Sequence, residues 1–307
     1  MTTFGKSIRI YLKDGTVTGI RFGEIVNQTI HSVACPRSRV PELKNYPEAN
    51  RPGIYFLFGN DENTGDNKVY IGEGENVFDR LQEHLVKKEF WNEVILFVSK
   101  DDNLTKSHVK HLESNAIRIA NTTKRYNIDN GNQSQASSLP APDRDAMEEF
   151  MGYVKLLLGI FGHKFLEDLT PIKTSGISTP ISFTTSTIDN QVITTSSTLE
   201  LKLSVTGLNA NAIQTDEGIV VLQGSEASND VKSSLANGYR DLRNKLITNG
   251  TLLLVGNKYI FQNNYLFDAP TPAAAVIVGS SISGPQTWKD SSGKTLKEIE
   301  EQKLKPN

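Results

Sequence analysis

The sequence predicts an α+β protein, an α/β sandwich whose small central antiparallel sheet is flanked by helices, followed by a separate, smaller α+β domain. Three observations lead there. Between residues 53 and 119 the apolar pattern switches from strand to helix in the order strand, strand, helix, strand, helix. From Thr170 to Thr198 the chain turns rich in Ser and Thr, holds Pro171 and Pro180, and carries almost no charge. The chain, at 307 residues, also exceeds what one hydrophobic core usually organises. The expected division is an N-terminal β-hairpin extension over 1–50, a first domain with a trailing helix over 51–168, a linker over 169–198, and a C-terminal domain over 199–307.

Residues 7 to 26 read as a hairpin. Ile8, Ile10 and Leu12 alternate with polar residues, Asp14-Gly15 supplies a turn, and Val17, Ile20 and Ile25 follow. Pro52-Gly53 then opens an apolar run, Ile54 to Phe58, and a polar loop leads to a second, Val69 to Ile71. A helix should start near Asn76, because Val77, Leu81, His84 and Leu85 fall on one face. Val94 to Val98 is a third strand. A second helix from about Leu104 to Ile119 carries Val109, Leu112, Ala116 and Ile119 as its apolar stripe. Residues 143 to 161 continue as a helix with Met147, Phe150, Met151, Val154, Leu157, Leu158 and Phe161 at helical spacing.

Beyond the linker, strands are expected at Leu199 to Val205, Gly218 to Leu222, Thr251 to Val255 and Tyr259 to Phe261. A helix over Val231 to Ile247 should end at Asn249-Gly250. A short helix over Pro272 to Val278 and a last one from Thr295 to Lys303 complete the pattern.

Composition narrows the class. Hydrophobic residues at 37% and charged residues at 22% suit a soluble globular chain. No apolar stretch approaches the roughly 20 residues that span a bilayer, and the N-terminal alternation is not that of a secretory signal. The single cysteine, Cys35, allows no internal disulfide, so the expected compartment is a reducing cytoplasm. A net charge of -2 excludes a generally basic nucleic-acid coat. Cations do cluster locally at Arg37 and Arg39, Lys87 and Lys88, Lys106 and Lys110, and Lys124 and Arg125.

One ordered set of residues points to chemistry: Gly53-Ile54-Tyr55, then Tyr70-Ile71-Gly72, then Arg80, His84 and Glu113. A guanidinium such as Arg80 matches the charge that builds on phosphate oxygens during attack, with paired hydrogen bonds that lysine cannot offer. A carboxylate such as Glu113 can hold a hard cation, with water and substrate oxygens completing the shell. Tyr55 and Tyr70 would orient or deprotonate an attacking water. An ordinary phenol titrates near pH 10, so a base role needs help from a metal or a neighbouring cation. Lys68, two residues before Tyr70 and on the same strand face, is a candidate helper. Glu73 and Glu75 flank the turn where a phosphate should approach and would repel it unless they face away or bind a cation.

These tripeptides, with the run Tyr70-Ile71-Gly72-Glu73-Gly74-Glu75-Asn76-Val77 leading to Arg80, resemble the GIY-YIG nuclease family over roughly a quarter of the chain. The resemblance implies a phosphodiester hydrolase with Tyr55, Tyr70, Arg80, His84 and Glu113 as catalytic residues, Glu113 as ligand of Mg²⁺ or Mn²⁺, and Gly53 and Gly72 beside the substrate. The histidine position is similar to that of restriction-enzyme members. The family's asparagine after the glutamate helix corresponds to Asn130 or Asn132, which spacing leaves undecided. The implied partner is nucleic acid, DNA before RNA. A catalytically weak binding module and an RNA-cleaving effector are the alternatives on the same fold. Residues 199 to 304 look like a domain of unknown function that often follows GIY-YIG-like domains in bacterial proteins. The resembling stretches are Gly218 to Ser225, Tyr265 to Ala275, Trp288-Lys289 and Gly293 to Leu296. Packing is the first reading of this region; a protein partner or nucleic-acid contact is the other.

Overall fold

The computed structural model describes residues 5–62, 64–131, 138–170 and 199–304. The chain divides into two compact units, residues 1–167 and 168–307. Of the expected linker, residues 171–198 lie outside the described residues.

The first unit is built on one seven-stranded sheet in the order β1-β2-β3-β6-β4-β5-β7. Its elements are β1 (Ile8–Leu12), β2 (Arg21–Ile25), β3 (Ile30–Pro36), β4 (Gly53–Asn60), β5 (Asn67–Gly74), α1 (Val77–Lys87), β6 (Trp91–Ser99), α2 (Lys106–Thr123), β7 (Asn127–Ile128) and α3 (Ala141–Ile160). The sequence order of strands and helices from β4 to α2 is the expected one. The sheet is larger than expected because the N-terminal hairpin is not an appendage. β3 pairs with β2 on one side and along its whole length with β6 on the other, which joins the hairpin to the central strands. Its sequence, Ile-His-Ser-Val-Ala-Cys-Pro, hides the strand because polar residues fall at buried positions. Ser32 is buried with its hydroxyl donating to the Gly23 carbonyl at 2.8 Å.

Central strands buried on both faces read as continuous apolar runs, and β4 and β6 are such strands. Ile54, Phe56, Ile95 and Phe97 join α2 and α3 in one core. Tyr55, Leu57, Val94 and Leu96 face the other core, with α1 and two 3₁₀ segments at 37–45 and 47–50. The unit is therefore three-layered. A register shift falls between Phe58 and Gly59, where a Cβ would collide with the Phe90 carbonyl, so glycine is required.

The second unit contains β8 (Leu199–Val205), β9 (Leu208–Thr215), β10 (Gly218–Val221), β11 (Glu226–Ser228), α4 (Asn237–Thr248), β12 (Leu252–Val255), β13 (Lys258–Phe261), β14 (Tyr265–Phe267), α5 (Pro270–Val278), α6 (Gly284–Thr287) and α7 (Leu296–Lys303). Four strands form one antiparallel sheet, β14-β10-β9-β8, and three form another, β11-β13-β12. β9 escapes the sequence reading because its buried positions include alanines, Ala210 and Ala212, between outward-facing asparagines. A two-residue loop, Thr206-Gly207, joins it to β8 with both residues at positive φ, 51° and 77°. α4 begins at Asn237, not Val231, because the preceding segment uses its backbone elsewhere: Lys232 N–H donates to the Gly279 carbonyl at 2.8 Å. The buried Arg243 then ties the layers together, donating to the carbonyls of Val276 at 2.5 Å and of Ser228.

Trp288 is fully buried in this second core, with its indole N–H donating to the Pro270 carbonyl at 3.1 Å. Trp288→Ala is expected to cost the second unit about 3 to 5 kcal/mol. Urea unfolding followed by far-UV circular dichroism measures the loss, and Trp91, the one tryptophan left, reports the first unit separately by fluorescence.

Candidate functional site

The site is assembled where β4 and β5 meet α1. Tyr55 stands opposite Gly72 and Leu57 opposite Tyr70 in the antiparallel register, so both tyrosines project from the same sheet face two positions apart. Gly72 has a packing reason to be glycine: a Cβ there would run into the Tyr55 ring. Gly53 has one too, since its Cβ would meet the Phe97 carbonyl at 2.5 Å. Both glycines act through packing, without any need to touch a substrate.

α1 is started by Asn76, whose side chain accepts from the Asp79 N–H at 3.3 Å. Arg80 and His84 lie one turn apart on it. The stem of Arg80 packs over Gly74, where a Cβ would stand 2.8 Å from Cγ. Its guanidinium bonds Glu83 at 2.9 Å, interacts electrostatically with Tyr55, and its side chain remains 42% exposed. His84 is buried, with Nε2 2.8 Å from the Tyr55 hydroxyl and its ring centroid 4.8 Å from that of Tyr70. The Tyr55 hydroxyl and His84 Nε2 share one hydrogen bond, and which of the two donates follows from the imidazole tautomer. His84 Nδ1 is buried without a hydrogen-bond partner among the described atoms.

Electrostatics follow from this burial. Tyr55 is held well above the ordinary phenol range, first by burial and then by Tyr70, against the pull of Arg80. Tyr70, half-buried, is raised by burial and by the charge of Glu113. Glu113, on α2, acts on both phenols and is itself half-buried and engaged. His84 is pushed down to about 4 by burial, with the Arg80 and Lys88 cations adding to the effect, so it is neutral at pH 7.

Other expected residues are spent on structure. Lys68 forms an ion pair with Asp129 at 2.7 Å and lies 4.9 Å from the centre of the Phe90 ring, so it is not the helper of Tyr70. Asn130 clamps β5: its amide oxygen accepts from Ile71 N–H at 3.0 Å and its amide nitrogen donates to the Ile71 carbonyl at 2.7 Å. It braces the strand, and no part of this arrangement reserves it for substrate. Asn132 lies outside the described residues.

The acidic pair at the turn is answered by Lys106, 2.9 Å from Glu73 and 3.9 Å from Glu75. Several of the basic residues noted in the sequence are likewise engaged. Arg37 caps the end of α1 by donating to the Leu85 and Lys88 carbonyls, and Arg39 pairs with Asp14 and Glu42. Lys88, read in the sequence only as one of a pair of cations, belongs to the surroundings of Tyr70. It bonds Asp129 at 2.5 Å and stands 4.3 Å from the Tyr70 ring centre. Its signal was present in the four-residue spacing Arg80, His84, Lys88.

Among the described residues no group of three or more His, Cys, Asp or Glu side chains could hold a metal ion. A lone carboxylate beside phenol hydroxyls does fit a hard cation that keeps most of its water, such as Mg²⁺, and does not fit zinc.

Comparison with known proteins places one part of the chain. Residues 201–300 match the family described as Domain of unknown function (DUF4357). The DUF4357 match covers most of the second unit and none of the residues around Tyr55. No curated protein and no solved structure matches the chain. No helix among the described residues, in the DUF4357 region or before it, is long and apolar enough to cross a membrane.

Since the folded state holds His84 below its unfolded value of about 6.5, it contributes stability that is present above pH 6.5 and is lost as the pH falls toward 4. Proton-carbon NMR should find the His84 midpoint near 4. In urea titrations at pH 7 and pH 4.5, the wild-type chain should lose more stability than His84→Gln.

Proposed function

We propose that residues 51–168 act as a GIY-YIG-type endonuclease, dependent on Mg²⁺ or Mn²⁺, that hydrolyses phosphodiester bonds in DNA inside the cytoplasm. One observation carries the reading. Tyr55, Tyr70, Arg80 and His84 form a single contacting network, and the charge of Glu113 bears on both phenols. A solvated surface arginine and a stray glutamate would have no reason to converge there.

Arg80, whose side chain is 42% exposed, offers its guanidinium to the non-bridging oxygens as charge builds on them. Glu113 would hold the cation, which supplies charge stabilisation at the leaving oxygen when bound. Tyr55 is fully buried and links Tyr70 to His84. Tyr70 is the phenol that faces the substrate. Both phenols are protonated at pH 7, so Tyr70 serves as a relay instead of a standing base. As water attacks, its proton passes to the Tyr70 oxygen, the Tyr70 proton to Tyr55, and the Tyr55 proton to His84 Nε2. Each phenol ends as it began, and the imidazole carries the proton. His84 is a weak base in the free protein, partly because of the Arg80 cation. A phosphate seated on Arg80 cancels that repulsion and strengthens the base as substrate binds.

The test is cleavage of plasmid, single-stranded DNA and RNA with Mg²⁺, Mn²⁺ or EDTA. Arg80→Ala and Glu113→Ala should each lower the rate about 100-fold or more. His84→Gln keeps an acceptor for Tyr55 but takes no proton, and should cost about 100-fold. Gel retardation without cleavage under any metal would replace the nuclease reading with that of a nucleic-acid-binding module. Cleavage of RNA alone would make it an RNA-cleaving effector.

A further inference from the structure

A second feature of the same sheet is unused by this chemistry. On β1 the side chains alternate, so that Ile8, Ile10 and Leu12 share one face while Arg9, Tyr11 and, just beyond the strand, Lys13 share the other. Tyr11 is 57% exposed, an unusual position for a large ring with no role in either core. It forms one wall of a groove of about 510 Å³. The floor is Phe22, whose ring centroid lies 6.0 Å from that of Tyr11 and 5.3 Å from that of Tyr46 on the opposite wall.

We propose that this groove is a stacking subsite for one unpaired nucleotide of single-stranded DNA. Its volume suits a single base with its sugar, and every base offers a flat face to an exposed phenol ring. Arg9 and Lys13 stand before and after Tyr11 along the strand, placed for the phosphates on either side of a stacked base. Two carboxylates stand in the same wall, and each has a neighbour of its own. Glu24 is shared between Arg9 and Lys100, each at 2.5 Å, and Glu48 faces His31 at 3.4 Å. The lining itself carries two cations, Arg9 and Lys13, and two carboxylates, with Lys100 reaching Glu24 from outside it, and burial lowers His31 toward its neutral form. Both oxygens of Glu24 are taken by Arg9 and Lys100, whereas Glu48 meets His31 through Oε1 alone.

The register connects the groove to the candidate site. Tyr11 pairs with Phe22, Phe22 with Val33, Val33 with Leu96, and Leu96 with Tyr55. Directly paired residues share a sheet face, so Tyr11 and Tyr55 lie on one row four strand spacings apart, about 19 Å. That is the length of about six nucleotides at duplex spacing. This span bears on the nuclease reading, whereas the groove itself stands without it.

The experiment is fluorescence anisotropy of a labelled 20-residue oligodeoxythymidylate with the full chain in EDTA, where no cleavage intervenes. Tyr11→Ala should weaken binding roughly 5- to 100-fold, the range expected for one lost base stack. Tyr11→Phe should bind like wild type, and Arg9→Ala with Lys13→Ala should flatten the salt dependence. Circular dichroism checks that each variant is folded. The subsite is overturned if the wild-type chain does not bind, if Tyr11→Ala binds as tightly as wild type, or if Tyr11→Phe loses as much as Tyr11→Ala. The two readings separate cleanly. Metal-dependent cleavage with binding indifferent to Tyr11 removes the groove and keeps the nuclease, and Tyr11-dependent binding without cleavage does the reverse.

Discussion

The first unit depends on β4 being buried on both faces. Alternate residues of one strand serve two cores, Ile54 and Phe56 toward α2 and α3, Tyr55 and Leu57 toward α1. A polar ring placed in such a strand must find a partner or be destabilising. Tyr55 finds His84, and because His84 is on α1, the hydrogen bond fixes that helix against the sheet. Arg80 is positioned by the same helix, so the packing of the core and the placing of the guanidinium follow from one constraint.

Burial also accounts for the electrostatics. An imidazole and a phenol removed from water both favour their neutral forms, and each then suits the other as hydrogen-bond partner. Cys35, in the same core, is affected alike: burial pushes its thiol up to about 12, which leaves it unreactive. The exposed charges behave differently. Lys68, Lys88, Lys106 and Arg39 all meet carboxylates of the same unit. A chain with a net charge of -2 thus presents fewer uncommitted cations than its sequence suggests.

Much of this was legible beforehand, for identifiable reasons. The strands and helices from Gly53 to Thr123 show clean periodicity, and the cap at Asn76 marks where α1 begins. The meeting of Tyr55, Tyr70, Arg80 and His84 could be expected from their order and spacing. β3 and β9 could not, because a buried serine and a row of alanines do not register as apolar alternation. The roles of Lys68 and Asn130 were also out of reach. Both are decided by contacts between residues about 60 positions apart, Lys68 with Asp129 and Asn130 with Ile71, and no local pattern encodes such a contact.

The clamp at Asn130 has a consequence for the sheet as a whole. β5 would be an edge strand with a row of unsatisfied amides and carbonyls, the kind of surface that invites another chain to pair. Instead β7 runs parallel to it for two residues, Asp129 N–H reaches the Val69 carbonyl at 2.8 Å, and the Asn130 side chain imitates one more strand residue opposite Ile71. A side-chain amide stands where a neighbouring backbone would be. The sheet is finished on that side by its own chain, and the strand that bears Tyr70 is closed there to aggregation through its edge.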